Sequence, residues 1–82
     1  YVTRIPALIG RGDMADCRLH GESISRVHAK LAYADANFIL EDIESTNGTC
    51  VNDYPLKKGY PVLLFPGDEV SFGSERYEFR VC

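Results

Sequence analysis

The chain predicts an all-β sandwich of two mainly antiparallel, twisted sheets built from short strands, with loops gathered at one end. Three observations carry that expectation. Apolar and polar residues alternate with period two through most of the hydrophobic runs, the signature of half-buried strands. Turn residues interrupt those runs at short intervals, while helix-period patterns are scarce. Finally, 82 residues of which 45% are hydrophobic suffice for one small core, so residues 1–82 read as a single domain. The chain starts at Tyr1 rather than Met, which points to a domain cut from a longer protein.

The elements follow in order. Thr3 to Ile9 is strand-like, and Pro6, which has no backbone donor, favours an edge or a strand end there. Met14 to Gly21 is irregular and reads either as coil or as a brief strand. Val27, Ala29, Leu31 and Tyr33 alternate with His28, Lys30 and Ala32, and Ala34 to Asn37 then leads into Phe38-Ile39-Leu40, a hairpin. Cys50-Val51 runs into Asn52-Asp53, two residues that tolerate left-handed geometry, and on to Tyr54-Pro55-Leu56, a further reversal. Pro66-Gly67-Asp68 is a turn whose proline presets the first central dihedral. Val70 and Phe72 alternate again, Gly73-Ser74-Glu75 makes a tight connection, and the last strand puts Tyr77, Phe79 and Val81 on one face. Glu78, Arg80 and Cys82 take the other.

Charge and cysteine content narrow the function classes. A net charge of -3 argues against general nucleic-acid or membrane-surface binding, which draws on an excess of Lys and Arg, so any anion binding must be local. No apolar run approaches the ~18 residues that suggest a membrane span, and no basic-then-apolar leader is present. Cys17, Cys50 and Cys82 are odd in number, widely spread and without C-x-x-C spacing. Neither disulfides nor a metal is expected from them, and a reducing intracellular compartment, cytoplasm or nucleus, fits that usage.

Three polar clusters fall at the ends of the strand-like runs: Gly10-Arg11, Ser25-Arg26-Val27-His28 and Ser45-Thr46-Asn47-Gly48-Thr49. Alternate hairpin connections of a sandwich emerge at the same end, so the clusters are expected to converge. Arg11 could grip two phosphate oxygens at once, or it could be a surface arginine paired with Asp13 or Asp16. In Ser25-x-x-His28 a nucleophile-base pair is disfavoured, because hydrolysis by such a pair needs an oriented carboxylate, an oxyanion hole and a substrate cleft, and the sequence has no G-x-S-x-G elbow. His28 is expected to pack inward and tie the loop, leaving Ser25 toward ligand and Arg26 toward solvent. The third cluster reads either as a turn that satisfies its own backbone or as part of the anion site. There Asn47, which both donates and accepts, suits a peptide main chain, and Gly48 suits a conformation closed to other residues.

Together these residues form a signature: G-R, S-R-x-H, S-T-N-G-T, V-N and G-D-x-V-x-F-G, ending in an alternating aromatic strand. The signature resembles the forkhead-associated (FHA) domain from about Leu8 to Val81. The resemblance implies a phosphothreonine-peptide-binding β-sandwich of roughly ten to eleven short strands with its ligand loops at one end, and with Arg11, Ser25 and Thr46 on the phosphate. It implies Asn47 and Arg26 on the peptide, and structural roles for Gly10, His28, Gly48 and Asn52. The partner so implied is a phosphothreonine-containing protein or peptide, in another chain or the same one, bound by a monomeric domain that needs no cofactor. Preference for threonine over serine is likewise implied only by the family, where a pocket takes the extra methyl, worth about 0.8 kcal/mol. Two departures stand out. The family carries a further strand before the one ending in Gly10-Arg11, for which Tyr1 to Ile9 leaves little room. Position 23, two before Ser25, is a serine rather than a basic residue, which leaves preference at the third residue after the phosphothreonine open.

An alternative reading is a phosphate-independent scaffold domain that associates through a sheet face, which would account for Tyr54 and Tyr60. An enzyme is disfavoured because no metal cluster, P-loop or complete triad appears.

Overall fold

A computed structural model describes residues 5–81, and within it nine strands form two sheets packed face to face. They are β1 (Ala7–Gly10), β2 (Cys17–Arg18), β3 (Ala29–Ala34), β4 (Asn37–Asp42), β5 (Thr49–Val51), β6 (Tyr54–Pro55), β7 (Val62–Leu64), β8 (Glu69–Phe72) and β9 (Glu75–Glu78). One sheet has the order β2-β1-β3-β4-β7 and the other β6-β5-β8-β9. All pairings are antiparallel except β1 with β2, which run parallel.

The tight hairpins arise where residues accept left-handed backbone. Asp35 and Ala36, at φ of 53° and 64°, join β3 to β4 in the register Ala34↔Asn37. Asn52 and Asp53, at 51° and 68°, join β5 to β6. Both central residues in the left-handed region give the twist that a two-residue hairpin needs. Pro66-Gly67 supplies the turn before β8, closed by the Asp68 N–H to the Phe65 carbonyl at 3.0 Å, with Gly67 at φ 96°.

Period-two alternation then delivers the core. Ile9, Ala29, Leu31, Leu40 and Leu64 from the larger sheet meet Val70 and Phe72 from the smaller one, and Ile24 enters from the β2–β3 connection. A side chain such as Ile24, 1% exposed, contributes about 1.5–3 kcal/mol by leaving water. Phe38 packs edge-on to Phe79 across the sandwich at 5.1 Å between ring centroids.

Nine strands among the described residues stand beside the ten to eleven expected; Thr3, one end of the first strand-like run, lies outside the described residues, as does Cys82. The stretch from Met14 to Gly21 resolves as the two-residue strand β2. The last strand begins earlier and ends sooner than the alternation suggested. Glu75 already pairs with Phe72, and beyond Glu78 the Phe79 N–H bonds the Asp68 carbonyl at 2.8 Å, while its own carbonyl takes the Gly67 N–H at 2.7 Å. Phe79 therefore continues against a turn rather than a strand, and Val81 is left 53% exposed. Cys17 and Cys50 are free thiols. No helix among the described residues is long and apolar enough to cross a membrane.

Candidate functional site

Strand direction sorts the connections between two ends of the sandwich. β1 finishes at one end, from which the chain arches back to enter β2 parallel beside it, and the links from β2 to β3, β4 to β5, β6 to β7 and β8 to β9 emerge at that same end. The first two polar clusters lie there, and so does the third as far as the start of β5 at Thr49.

Arg11 sits at the foot of an arch. After β1 the chain loops over residues 11–16 and returns as β2 alongside β1, held by the Asp16 N–H to Leu8 O and the Leu19 N–H to Gly10 O, both 2.8 Å. Gly10 lies flat against the next connection: a Cβ there would overlap the carbonyl oxygens of Ser25 and Arg26, so only glycine lets the two segments touch. Across that contact the Arg11 and Gly12 amides donate to Ser25 O and Arg26 O, each at 3.1 Å. The Arg11 Nε donates to the Ile24 carbonyl at 2.6 Å, which orients the guanidinium from a residue anchored in the core and leaves its outer nitrogens facing solvent. Asp13 pairs instead with Arg18 at 3.2 Å. Arg11, His20, Gly21 and Glu22 line a shallow depression of about 440 Å³ beside it.

Ser25 joins the first two clusters to the third. Its hydroxyl oxygen accepts the Thr46 N–H at 3.0 Å, across 21 residues of sequence. Its own N–H donates to His28 Nδ1 at 3.0 Å, and His28 Nε2 lies 2.8 Å from the Gly48 carbonyl. Because Nδ1 accepts, these partners assign the ring proton to Nε2. His28 is 0% exposed and stacks edge-on to Phe72 at 5.4 Å, so it is a strut between loops with both nitrogens engaged by backbone. Gly48, at φ 87°, presents the same carbonyl to the Gly73 N–H at 3.0 Å and thereby meets the smaller sheet.

Asn47 and Thr46 are exposed at the rim. The Asn47 amide nitrogen donates to Ser23 O at 3.0 Å, fixing the side chain with its oxygen and one N–H to spare. Ser23 in turn bonds Ser74, hydroxyl to hydroxyl and hydroxyl to amide, both at 2.9 Å. Arg26 is exposed on the loop beside Ser25. Asn52 lies at the opposite end: it donates to Asp68 Oδ1 at 3.0 Å and accepts the Glu69 N–H at 2.9 Å, bracing two turns against each other.

Under the third cluster lies a buried polar group that sequence reasoning passed over. Asp42, 1% exposed, accepts the hydroxyls of Ser45 and Thr49 and the Ser45 amide. Burial works against its charge, yet the hydrogen bonds from the Ser45 and Thr49 hydroxyls and from the Ser45 amide hold its carboxyl below the usual range. Its signal was available in the alternation Phe38, Leu40, Asp42, which places a carboxylate on the inward face of β4. The Ser23–Ser74 contact had none, since it joins residues 51 apart.

At one end of the sandwich, then, are Gly10, Arg11, Ser25, Arg26, His28, Thr46, Asn47 and Gly48. The arrangement offers an oriented guanidinium, hydroxyls and an amide on a rigid rim, which are donors suited to an anionic, peptide-borne group. The residue pattern that encodes this geometry matches the model of the FHA domain over residues 7–73. The chain is 36% identical over 74 residues to the FHA domain-containing protein FhaA of Mycobacterium tuberculosis, covering 90% of this chain and 14% of that protein. It is 30% identical over 86 residues to the chloroplastic zeaxanthin epoxidase of Prunus armeniaca, covering 93% of this chain and 13% of the epoxidase. This chain therefore spans only a small part of such relatives. Among solved structures it superposes with a TM-score of 0.82, at 33% identity and covering 93% of this chain and 76% of the other, on one from a study of phosphothreonine-dependent FHA domain interactions. The N-terminal FHA domain of Rad53p from S. cerevisiae, solved in complex with a phosphothreonine peptide, superposes with a TM-score of 0.74 at 34% identity, covering 83% of this chain and 56% of that one. From strand order to loop signature, the chain belongs to the FHA domain family.

Proposed function

We propose that this domain binds a phosphothreonine-containing segment of a partner protein, so that a kinase acting on the partner switches the association on. Arg11, Ser25 and Thr46 contact the phosphate, Asn47 holds the peptide backbone, and Arg26 adds a contact from the loop. Gly10, His28 and Gly48 hold the loops in register, and Asn52 stiffens the scaffold from the far end. The observation that carries this reading is the bond from the Thr46 N–H to Ser25 Oγ, which draws two loops onto one point beside Arg11. Phosphorylation supplies about -1.5 to -2 charge. That suits a locally basic rim on a chain whose net charge is -3.

The same geometry supports recognition rather than catalysis. His28 Nδ1 takes the Ser25 amide, not its hydroxyl, so no base is poised to activate that serine. We place the domain in a reducing intracellular compartment on the strength of its cysteine usage, acting as a monomer.

Fluorescence anisotropy with an oriented phosphothreonine peptide library, run on wild type and Arg11→Ala in parallel, tests the reading. Selection of phosphopeptides by wild type alone is expected, and equal affinity of wild type for phosphorylated and unphosphorylated peptide overturns it. A second reading, association through a sheet face, draws on Tyr54 and Tyr60, 77% and 61% exposed. Arg11→Glu separates the two, since it abolishes phosphopeptide capture and spares sheet-face association.

A further inference from the structure

The buried polar groups among the described residues are His28, Asp42, Ser45 and Thr49, and Asp42 is the carboxylate in that set. It closes β4 on the inward face and lies beneath the rim that carries Thr46 and Asn47. An ionised carboxylate only accepts, so both hydroxyls that reach Asp42 Oδ2, those of Ser45 and of Thr49 (2.7 Å), must spend their protons inward. Ser45 Oγ is then left to accept, and it takes the Gly48 N–H at 3.1 Å. From Gly48 the chain of contacts continues. Its carbonyl accepts from His28 Nε2, His28 Nδ1 accepts the Ser25 N–H, and Ser25 Oγ accepts the Thr46 N–H. At the end of this circuit the Ser25 hydroxyl oxygen accepts one amide from within the protein, which leaves its proton to be donated outward.

We propose that Asp42 is a positioning residue for phosphothreonine recognition: from beneath the site its hold on Ser45 and Thr49 fixes the conformation of the Ser45–Gly48–His28–Ser25–Thr46 circuit, and with it the place at which Ser25 meets the phosphate. The inference rests on the phosphothreonine reading above and adds to it a residue that touches no ligand. The sign of the electrostatics makes it testable. A buried negative charge under an anion-binding rim repels the ligand, and this repulsion is weakly screened in a low-dielectric interior. If Asp42 acted on the ligand through charge alone, Asp42→Asn would tighten binding. If it acts by orientation, the isosteric amide sets its NH2 either against the two hydroxyls or against the Ser45 N–H, at least one of these three donors turns away, and the loop loses part of its anchor.

The test uses a fluorescein-labelled phosphothreonine peptide selected by the wild-type domain. Affinities are measured for wild type, Asp42→Asn, Thr49→Val, which keeps shape but loses the hydroxyl, and Thr49→Ser, which keeps the hydroxyl. Amide and imidazole signals of Ser25, His28, Thr46 and Gly48 are followed by NMR in each. Asp42→Asn is expected to weaken binding about ten- to a hundredfold while its spectrum stays dispersed, Thr49→Val to weaken it several-fold, and Thr49→Ser to stay within about threefold of wild type. A folded Asp42→Asn that binds as well as wild type, or better, overturns the proposal. Should Asp42→Asn fail to fold, the threonine pair decides: Thr49→Val binding as tightly as Thr49→Ser overturns it, and rescue by the serine alone sustains it. Should wild type bind no phosphopeptide at all, the phosphothreonine reading fails, and the spectra judge the orienting role by itself. Ser25, Thr46 and Gly48 signals displaced in Thr49→Val but not in Thr49→Ser sustain it, and unmoved signals overturn it.

Discussion

At one end of the sandwich the chain reverses in short turns whose shape comes from their own residues: Asp35-Ala36, Asn52-Asp53 and Pro66-Gly67. At the other end, apart from the short Gly73-Ser74 turn, it wanders through residues 11–16, 19–28, 43–48 and 56–61, and there the backbone is fixed largely by partners far away in sequence. Arg11 Nε reaches Ile24 O, Thr46 N reaches Ser25 Oγ and Ser74 N reaches Ser23 Oγ, over 13, 21 and 51 residues. The far end has one comparable brace, Asn52 to Asp68 and Glu69, over 16 and 17 residues. The difference teaches that rigidity has two sources in so small a domain. Local turn chemistry closes the scaffold, and long-range hydrogen bonds shape the candidate binding surface.

Changes at the two ends should therefore separate binding from stability. The largest effect on binding is expected from Arg11→Ala, because each charge-assisted hydrogen bond contributes about 1.5–3 kcal/mol; titration calorimetry should show a roughly ten- to hundredfold or greater loss of phosphopeptide affinity with little change in melting temperature. Next comes Gly10→Ala, whose new methyl would press on two carbonyls. Overpacking of this kind costs about 1–3 kcal/mol, read as a lower urea midpoint, and it moves both quantities because the loops it separates are those of the site. Asn52→Ala removes the far-end brace: a loss of about 1 kcal/mol in stability with unchanged affinity is expected, and a comparable fall in affinity would erase the distinction between the ends. The smallest effect is on the pH profile. The Phe65 amide and the Asn52 side chain hold the Asp68 carboxyl below its ordinary value. Its contribution to stability is thus present above the usual carboxylate range of about 4 and is lost as pH falls through the depressed folded value. Asp68→Asn should flatten the acid limb of a stability-pH curve, and a slope identical to wild type would count against that link.

The far end was open to reading from sequence because its determinants are local. Asn52-Asp53 and Pro66-Gly67-Asp68 declare their turns in two or three letters, and the alternation of Val27 to Tyr33 announces β3. One strand escaped, and another stayed open between coil and a brief strand, for the opposite reason. Val62–Leu64 lies in an unbroken apolar run with no period to detect, and Cys17–Arg18 exists only because the arch after Arg11 brings it back beside β1. At the site end the identities of the polar residues stood out, but not what fixes them. The inward turn of Asp42 follows from alternation in β4, whereas the pairing of Ser23 with Ser74 depends on the two sheets closing. Val81 failed as a core residue because the ladder past Glu78 runs onto a turn that offers no further strand to face.

The 51-residue span between Ser23 and Ser74 also bears on the order in which the molecule assembles. Two-residue hairpins close in about 1–10 μs, while contacts between distant segments must wait for chain entropy to be overcome. The rim at Ser25 and Thr46 therefore comes into existence only once both sheets have met. Anything that binds there recognises the finished fold alone, and by mass action a ligand at a hundred times its dissociation constant would deepen the folded state by about 2.7 kcal/mol. A phosphorylated partner would in that sense act as a clasp across the last joint to form.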